Sequence, residues 1–305
     1  MDRLHLTGLD GTNPMGFFAA LGVLFCLEDQ HKDTALWWSK NVVPHAIFSI
    51  EWSISLLADS ILKTVSNLKN CKSLNPCTPS GEPIPGRDKL KFNSSQIRDY
   101  LLSAELCGET LASSLLAEGS FDNNKKGKPS DFYFSAGQQE FLATARTVFV
   151  DVTRTDFINA FEGPWRYDSK LPSFGWDIED DRVYALRSKD PSSEKKHSNP
   201  GVEVLALLGL SFYPVYAGRG RTLTQGCSGL WKNGVFSWPL WQKPATLNVV
   251  KSLLSHAYIS ERSLDREEWF LGWGLSHVLS SLIRRTEEGG YGSFCPPDIV
   301  WTRFD

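Results

Sequence analysis

Gly8-Leu9-Asp10-Gly11-Thr12-Asn13-Pro14-Met15-Gly16-Phe17-Phe18-Ala19-Ala20-Leu21-Gly22-Val23-Leu24-Phe25-Cys26-Leu27-Glu28-Asp29 is the stretch that decides the reading of this chain. Asn13 is a favourable N-cap, and Pro14 suits the first helical position, where a missing N–H costs nothing. The residues that follow are apolar or small on almost every face as far as Glu28. A helix that is apolar all round is buried, not merely amphipathic. Gly16, Ala19, Ala20 and Gly22 give it a flank where another backbone can pack closely. The run is shorter than the ~18–20 apolar residues that a bilayer requires. An Asp-Gly-Thr-Asn-Pro turn stands before it in place of a basic stretch, which argues against a signal peptide. The physical reading is a central core helix.

Outward from it, residues 3–9 alternate as a strand, with Leu4 and Leu6 on one face. Residues 35–39 and 46–52 read as strands rich in Trp, Ile and Phe, and 54–68 has helical spacing. Residues 71–92 carry four prolines and form a long loop ending in Arg87-Asp88-Lys89-Leu90-Lys91. Helical patterning resumes over about 95–116. A polar stretch follows at 118–131. It divides the chain into an N-terminal α+β segment, 1–117, and a C-terminal one, 132–305, unless the two form one continuous domain. Phe132-Tyr133-Phe134 reads as a short strand, and Ser135 as the cap of a helix through Phe141 and Leu142. Further helices are expected at 155–161, 201–210 and 247–256. Strands are expected at 182–187, 212–216, 222–225 and 234–241, and a pair at 275–285 and 291–301, the first of which could instead begin as a helix from Arg266. Helices and strands mix without regular alternation, so the fold class is α+β: mixed sheets around a buried N-terminal helix.

The 305 residues carry a net charge of −3, which does not favour autonomous nucleic-acid binding. Eleven Trp and eighteen Phe fit a subunit with extensive contacts, since aromatics dominate cores and interfaces. The six cysteines form no Cys-x-x-Cys pair, so structural zinc is not indicated. Reduced thiols and a cytoplasmic location are the expectation.

Several stretches carry possible chemistry. Asp177, Glu179, Asp180 and Asp181 cluster after Trp176 and could hold Mg²⁺ in a nuclease, yet all four lie in one short turn. The ordinary reading is a solvated or arginine-paired turn. The six histidines show no metal-hydrolase spacing, and neither a Gly-x-Ser-x-Gly elbow nor a P-loop is present. No cofactor and no catalytic residue is indicated. Gly218-Arg219-Gly220-Arg221 is a basic turn between strands; it reads as an ordinary hairpin tip or as a phosphate contact. Lys125, Lys126 and Lys128 in the polar stretch read as a solvated loop or as a second phosphate contact. Arg166 and Arg187 sit beside aromatics and suit either carboxylate pairing or nucleic-acid recognition.

Five segments together resemble a CRISPR-associated family. Residues 9–22, quoted above, are similar to the start of subunits of type I-G (formerly I-U) systems. So are Phe134-Ser135-Ala136-Gly137-Gln138-Gln139-Glu140-Phe141-Leu142 and Gly163-Pro164-Trp165. Asp181-Arg182-Val183-Tyr184-Ala185-Leu186-Arg187 and Phe236-Ser237-Trp238-Pro239-Leu240-Trp241 also fit. Members with such an opening include large-subunit-like components of the effector complex and a family linked to the helicase-nuclease. The resemblance implies a non-catalytic role in RNA-guided antiviral defence. Its partners would be other effector subunits, guide RNA, target DNA and the helicase-nuclease, with no membrane. Guide pairing then supplies sequence specificity, while protein reads a short flanking motif and holds the backbone. A metal-dependent nuclease using Asp177–Asp181 and a scaffold without DNA contact are the competing classes.

Overall fold

The computed structural model describes residues 3–135, 139–178, 198–218, 221–260, 266–286 and 290–303. The protein is α+β, and the helix α1 (Pro14–Leu27) lies at its centre, with every residue but Phe25 buried. Asn13 caps it as expected, its Oδ1 accepting from the Met15 N–H at 2.9 Å. Two adjacent phenylalanines of α1 pack on aromatic rings from distant parts of the chain. Phe17 stacks on Trp38 at 5.6 Å. Phe18 packs on Phe236 and Phe132, each at 5.0 Å.

The first sheet has the order β1-β3-β2-β8 and is antiparallel, built from β1 (Leu4–Asp10), β2 (Ala35–Trp38), β3 (His45–Phe48) and β8 (Ala245–Thr246). Its last strand therefore comes from far along the chain. The second sheet is built on β7 (Gly234–Trp241) and β9 (Leu275–Arg285). On it, β6 (Cys227–Ser228) pairs with β7, while β10 (Gly292–Phe294) and β11 (Asp298–Thr302) both pair with β9. β4 (Val215–Gly218) and β5 (Arg221–Thr224) form a hairpin of their own. Two tryptophans of β7 reach across to the first sheet and its border: Trp241 Nε1 donates to the Leu36 carbonyl in β2 at 2.6 Å and Trp238 Nε1 to the Gly11 carbonyl in the turn after β1 at 2.9 Å.

Among the described residues the remaining α-helices are α2 (Ile54–Leu68), α3 (Ser94–Glu105), α4 (Leu111–Leu115), α5 (Phe141–Asp151), α6 (Arg154–Glu162), α7 (Pro200–Gly209), α8 (Leu247–Leu254) and α9 (Arg266–Gly272). α7 makes the most extensive packing with α1. Glycines permit it. A Cβ on Gly22 would lie 1.9 Å from the Leu205 carbonyl oxygen, and one on Gly209 would lie 1.9 Å from that of Phe18. One hydrophobic cluster runs from Leu4 to Phe294 and takes side chains from both sides of the polar stretch 118–131.

Four expectations are corrected. The helical stretch 95–116 is two helices, parted at Gly108 with φ +72°. The helix expected from Ser135 begins at Phe141, with Glu140 in an extended conformation. The expected strand 291–301 is split in two, because Pro296 and Pro297 have no N–H to give a ladder. Phe132, Tyr133 and Phe134 form no strand. Their carbonyls accept instead from Trp176 Nε1 at 2.9 Å, Arg285 Nη1 at 3.0 Å and the Gly292 N–H at 3.1 Å. Donors from distant residues thus replace a neighbouring strand. The strand expected at 182–187 lies outside the described residues.

Candidate functional site

A cleft of about 640 Å³ opens where three segments meet. These are the end of the 71–92 loop, the polar stretch 118–131, and the β4–β5 hairpin with the turn after β6. Lys89, Lys91, Lys128 and Arg221 line it, against the carboxylates of Asp122 and Asp131.

Each wall is held by its own hydrogen bonds. Asp122 Oδ1 accepts from the N–H groups of Asn124 and Lys126 at 2.8 and 2.9 Å, closing a tight turn that puts Lys125 at φ +57°. Thr222 Oγ1 donates to the Lys128 carbonyl at 3.0 Å. A hydroxyl has one proton, so at their 2.6 Å contact Ser120 Oγ is the donor to Thr222. The Asp131 N–H donates to Thr224 Oγ1 at 2.8 Å. These bonds fasten 118–131 along β5.

The 71–92 loop is fixed from the other side. Arg146 on α5 donates to the Leu74 carbonyl at 2.8 Å and forms an ion pair with Asp88. The carboxylate of Glu109 accepts from Ser73 N–H at 2.6 Å and Lys72 N–H at 2.8 Å. The Gly127 N–H reaches the Phe92 carbonyl at 2.8 Å, joining this loop to the polar stretch. Tyr133 Oη donates to the Lys89 carbonyl at 3.2 Å.

Arg285 lies at the back of the site. Its Nη2 donates to the Asp131 carbonyl at 2.6 Å, and burial lowers its pKa to about 10, so it stays a cation at neutral pH. Burial pushes the Asp131 carboxyl up from the usual range, against the opposing pull of Thr224, Arg285 and Arg221. Burial likewise pushes the Cys227 thiol well up, the reverse of what an activated nucleophile needs. No histidine lines the cleft among the described residues. The lining offers binding chemistry: cations spread over three braced segments around one space.

Of the residues singled out from the sequence, Arg221 and Lys128 are brought together here. Lys125 is exposed at the turn tip and Lys126 half-buried beside it, and neither lines the cleft. Arg166 is exposed elsewhere on the surface and does not line it either. Arg219, Arg187, Glu179, Asp180 and Asp181 lie outside the described residues. Asp177 is not in a solvated turn: it is buried, accepting from Asn13 Nδ2 at 2.9 Å and Tyr167 Oη at 2.6 Å. It thereby braces the residue that caps α1. Among the described residues no three His, Cys, Asp or Glu side chains gather as metal ligands do, and no helix is long and apolar enough to cross a membrane.

Sequence reasoning missed Lys89, Lys91, Asp131, Trp231 and Arg285. The run Arg87-Asp88-Lys89-Leu90-Lys91 was the one signal for the first two. A second concavity, of about 440 Å³, is lined by Trp241, Trp269 and Trp273 with Lys243, and gathers no comparable set of charges. In comparisons with known proteins, no family model and no curated protein matches this chain.

Proposed function

We propose that this protein is a non-catalytic subunit of a type I CRISPR effector complex and that its cleft holds nucleic acid by the phosphate backbone during target recognition. The observation that carries the reading is the convergence of Arg221 and Lys128 with Lys89 and Lys91 in one braced cleft. Cations gathered from separate segments suit phosphate, whose contacts position a strand without reading its sequence. Guide pairing supplies the sequence, and a separate helicase-nuclease does the cutting. The resemblance of residues 9–22 and of four later segments to type I-G subunits supplies the system. The net charge of −3 fits a chain that touches nucleic acid through one basic cleft while its remaining surface meets other subunits.

The test is oligonucleotide affinity across a salt series for wild type and the double variant Arg221→Ala, Lys128→Ala. Each lost phosphate contact on a single strand flattens the slope of log K against log salt by about 0.7. The double variant is expected to bind more weakly, with a slope shallower by about 1.4. Unchanged affinity and slope refute the cleft as a phosphate site. Loss of assembly with partner subunits, in place of loss of nucleic-acid binding, would favour the scaffold.

A further inference from the structure

Trp231 is a large aromatic that the core does not cover. It lines the cleft and is 45% exposed. It opens a single turn, Trp231–Asn233, between β6 and β7, closed by the Asn233 N–H on the Leu230 carbonyl at 2.8 Å. Its ring lies over a cation: the Arg285 guanidinium carbon is 3.4 Å from the ring centroid. That guanidinium is itself fixed. It donates to the Asp131 and Tyr133 carbonyls, at 2.6 and 3.0 Å, and lies 5.5 Å from the Phe134 ring centroid.

The stack gives the indole a fixed orientation before any ligand arrives, so ordering it costs little on binding. A flat aromatic beside four cations matches a ligand that alternates flat rings with anions. In a duplex the base faces are already stacked on one another. A single strand leaves them free to stack on protein aromatics. We infer that the cleft takes single-stranded nucleic acid, with one base stacked on Trp231 and the flanking phosphates on Lys89, Lys91, Lys128 and Arg221. This rests on the phosphate-binding reading of the same cleft.

The test uses the purified chain at low salt with fluorescently labelled oligo-dT, oligo-rU and a blunt DNA duplex of equal length, read by anisotropy. Wild type is expected to prefer a single strand, whether DNA or RNA, over the duplex. Trp231→Ala is expected to weaken single-strand binding about 5- to 150-fold. Trp231→Phe should recover most of that loss, and neither change should alter the salt slope, because stacking releases no counterions. Single-strand binding by Trp231→Ala equal to wild type overturns the inference, as does a duplex bound as well as the strands. If the Arg221→Ala, Lys128→Ala variant still weakens binding in that case, the phosphate reading survives alone. Binding of no oligonucleotide overturns both and leaves the cleft as a docking face for protein.

Discussion

Replacing Gly22 with alanine adds one methyl group where α1 crosses α7. The new Cβ would lie 1.9 Å from the Leu205 carbonyl oxygen, 2.6 Å from its carbon and 2.9 Å from its Cα. All three are backbone atoms within a helix, so no change of rotamer relieves the clash. An ordinary C···O approach is about 3.3 Å, so the helices must part by about 1.4 Å. A gap of only 0.5–1 Å already forfeits about a quarter to a half of each dispersion contact. Overpacking typically costs about 1–3 kcal/mol, and contact with backbone puts this site at the upper end. The better helix propensity of alanine offsets about 1 kcal/mol. The net loss is then about 2 kcal/mol, which lowers Tm by about 3 °C in a chain of 305 residues. Gly272→Ala is the control. Its Cβ would meet nothing within 4 Å, and stability should hold or rise by about 0.4–1 kcal/mol. Thermal unfolding followed by tryptophan fluorescence measures both. A Gly22→Ala protein that melts at or above the wild-type temperature would refute close contact between α1 and α7.

Four further outcomes are expected. Arg146→Ala removes the donor to the Leu74 carbonyl and the partner of Asp88; it should weaken oligonucleotide binding several-fold by loosening Lys89 and Lys91, and wild-type affinity would show that the loop is held without it. Burial, then the nearby His5, lowers the pKa of His45, and burial lowers that of His277. The unfolded chain therefore takes up protons first, and the stability from neutral His45 is present above about pH 6.5 and lost as pH falls towards its folded-state value. The urea midpoint should drop between pH 7.5 and 5.5, less so in His45→Gln, and a variant with the wild-type drop would refute the assignment. Asp177→Ala breaks the hydrogen bonds from Asn13 and Tyr167 and should cost about 1.5–3 kcal/mol or more in urea unfolding. In Mg²⁺ or Mn²⁺ the wild-type chain should not cleave DNA or RNA; cleavage abolished by Asp180→Ala or Asp181→Ala would restore the nuclease reading.

The sequence by itself determined the elements whose signals are local. α1 was legible because its apolar residues cover every face and Asn13-Pro14 marks its start. α2 was legible from the spacing of Leu57, Ile61 and Val65; a hairpin around a glycine-rich turn was legible too, but its first strand is Val215–Gly218 and not 212–216, because Leu210–Phe212 form a helical turn and Gly218 pairs with Arg221. The close approach at Gly22 was foreseen, but that Leu205 of α7 fills it was not. Only the tertiary structure decided that 132–134 is no strand, since its carbonyls find Trp176, Arg285 and Gly292 far along the chain. It alone placed Asp177 under α1, and it alone put Lys89, Lys91, Lys128, Arg221 and Trp231 around one cleft. The physical reason is the same in each case. Helix and strand periodicity is written in neighbours a few residues apart, whereas a buried acceptor or a charged cleft is defined by distances through space between residues that carry no periodic signal.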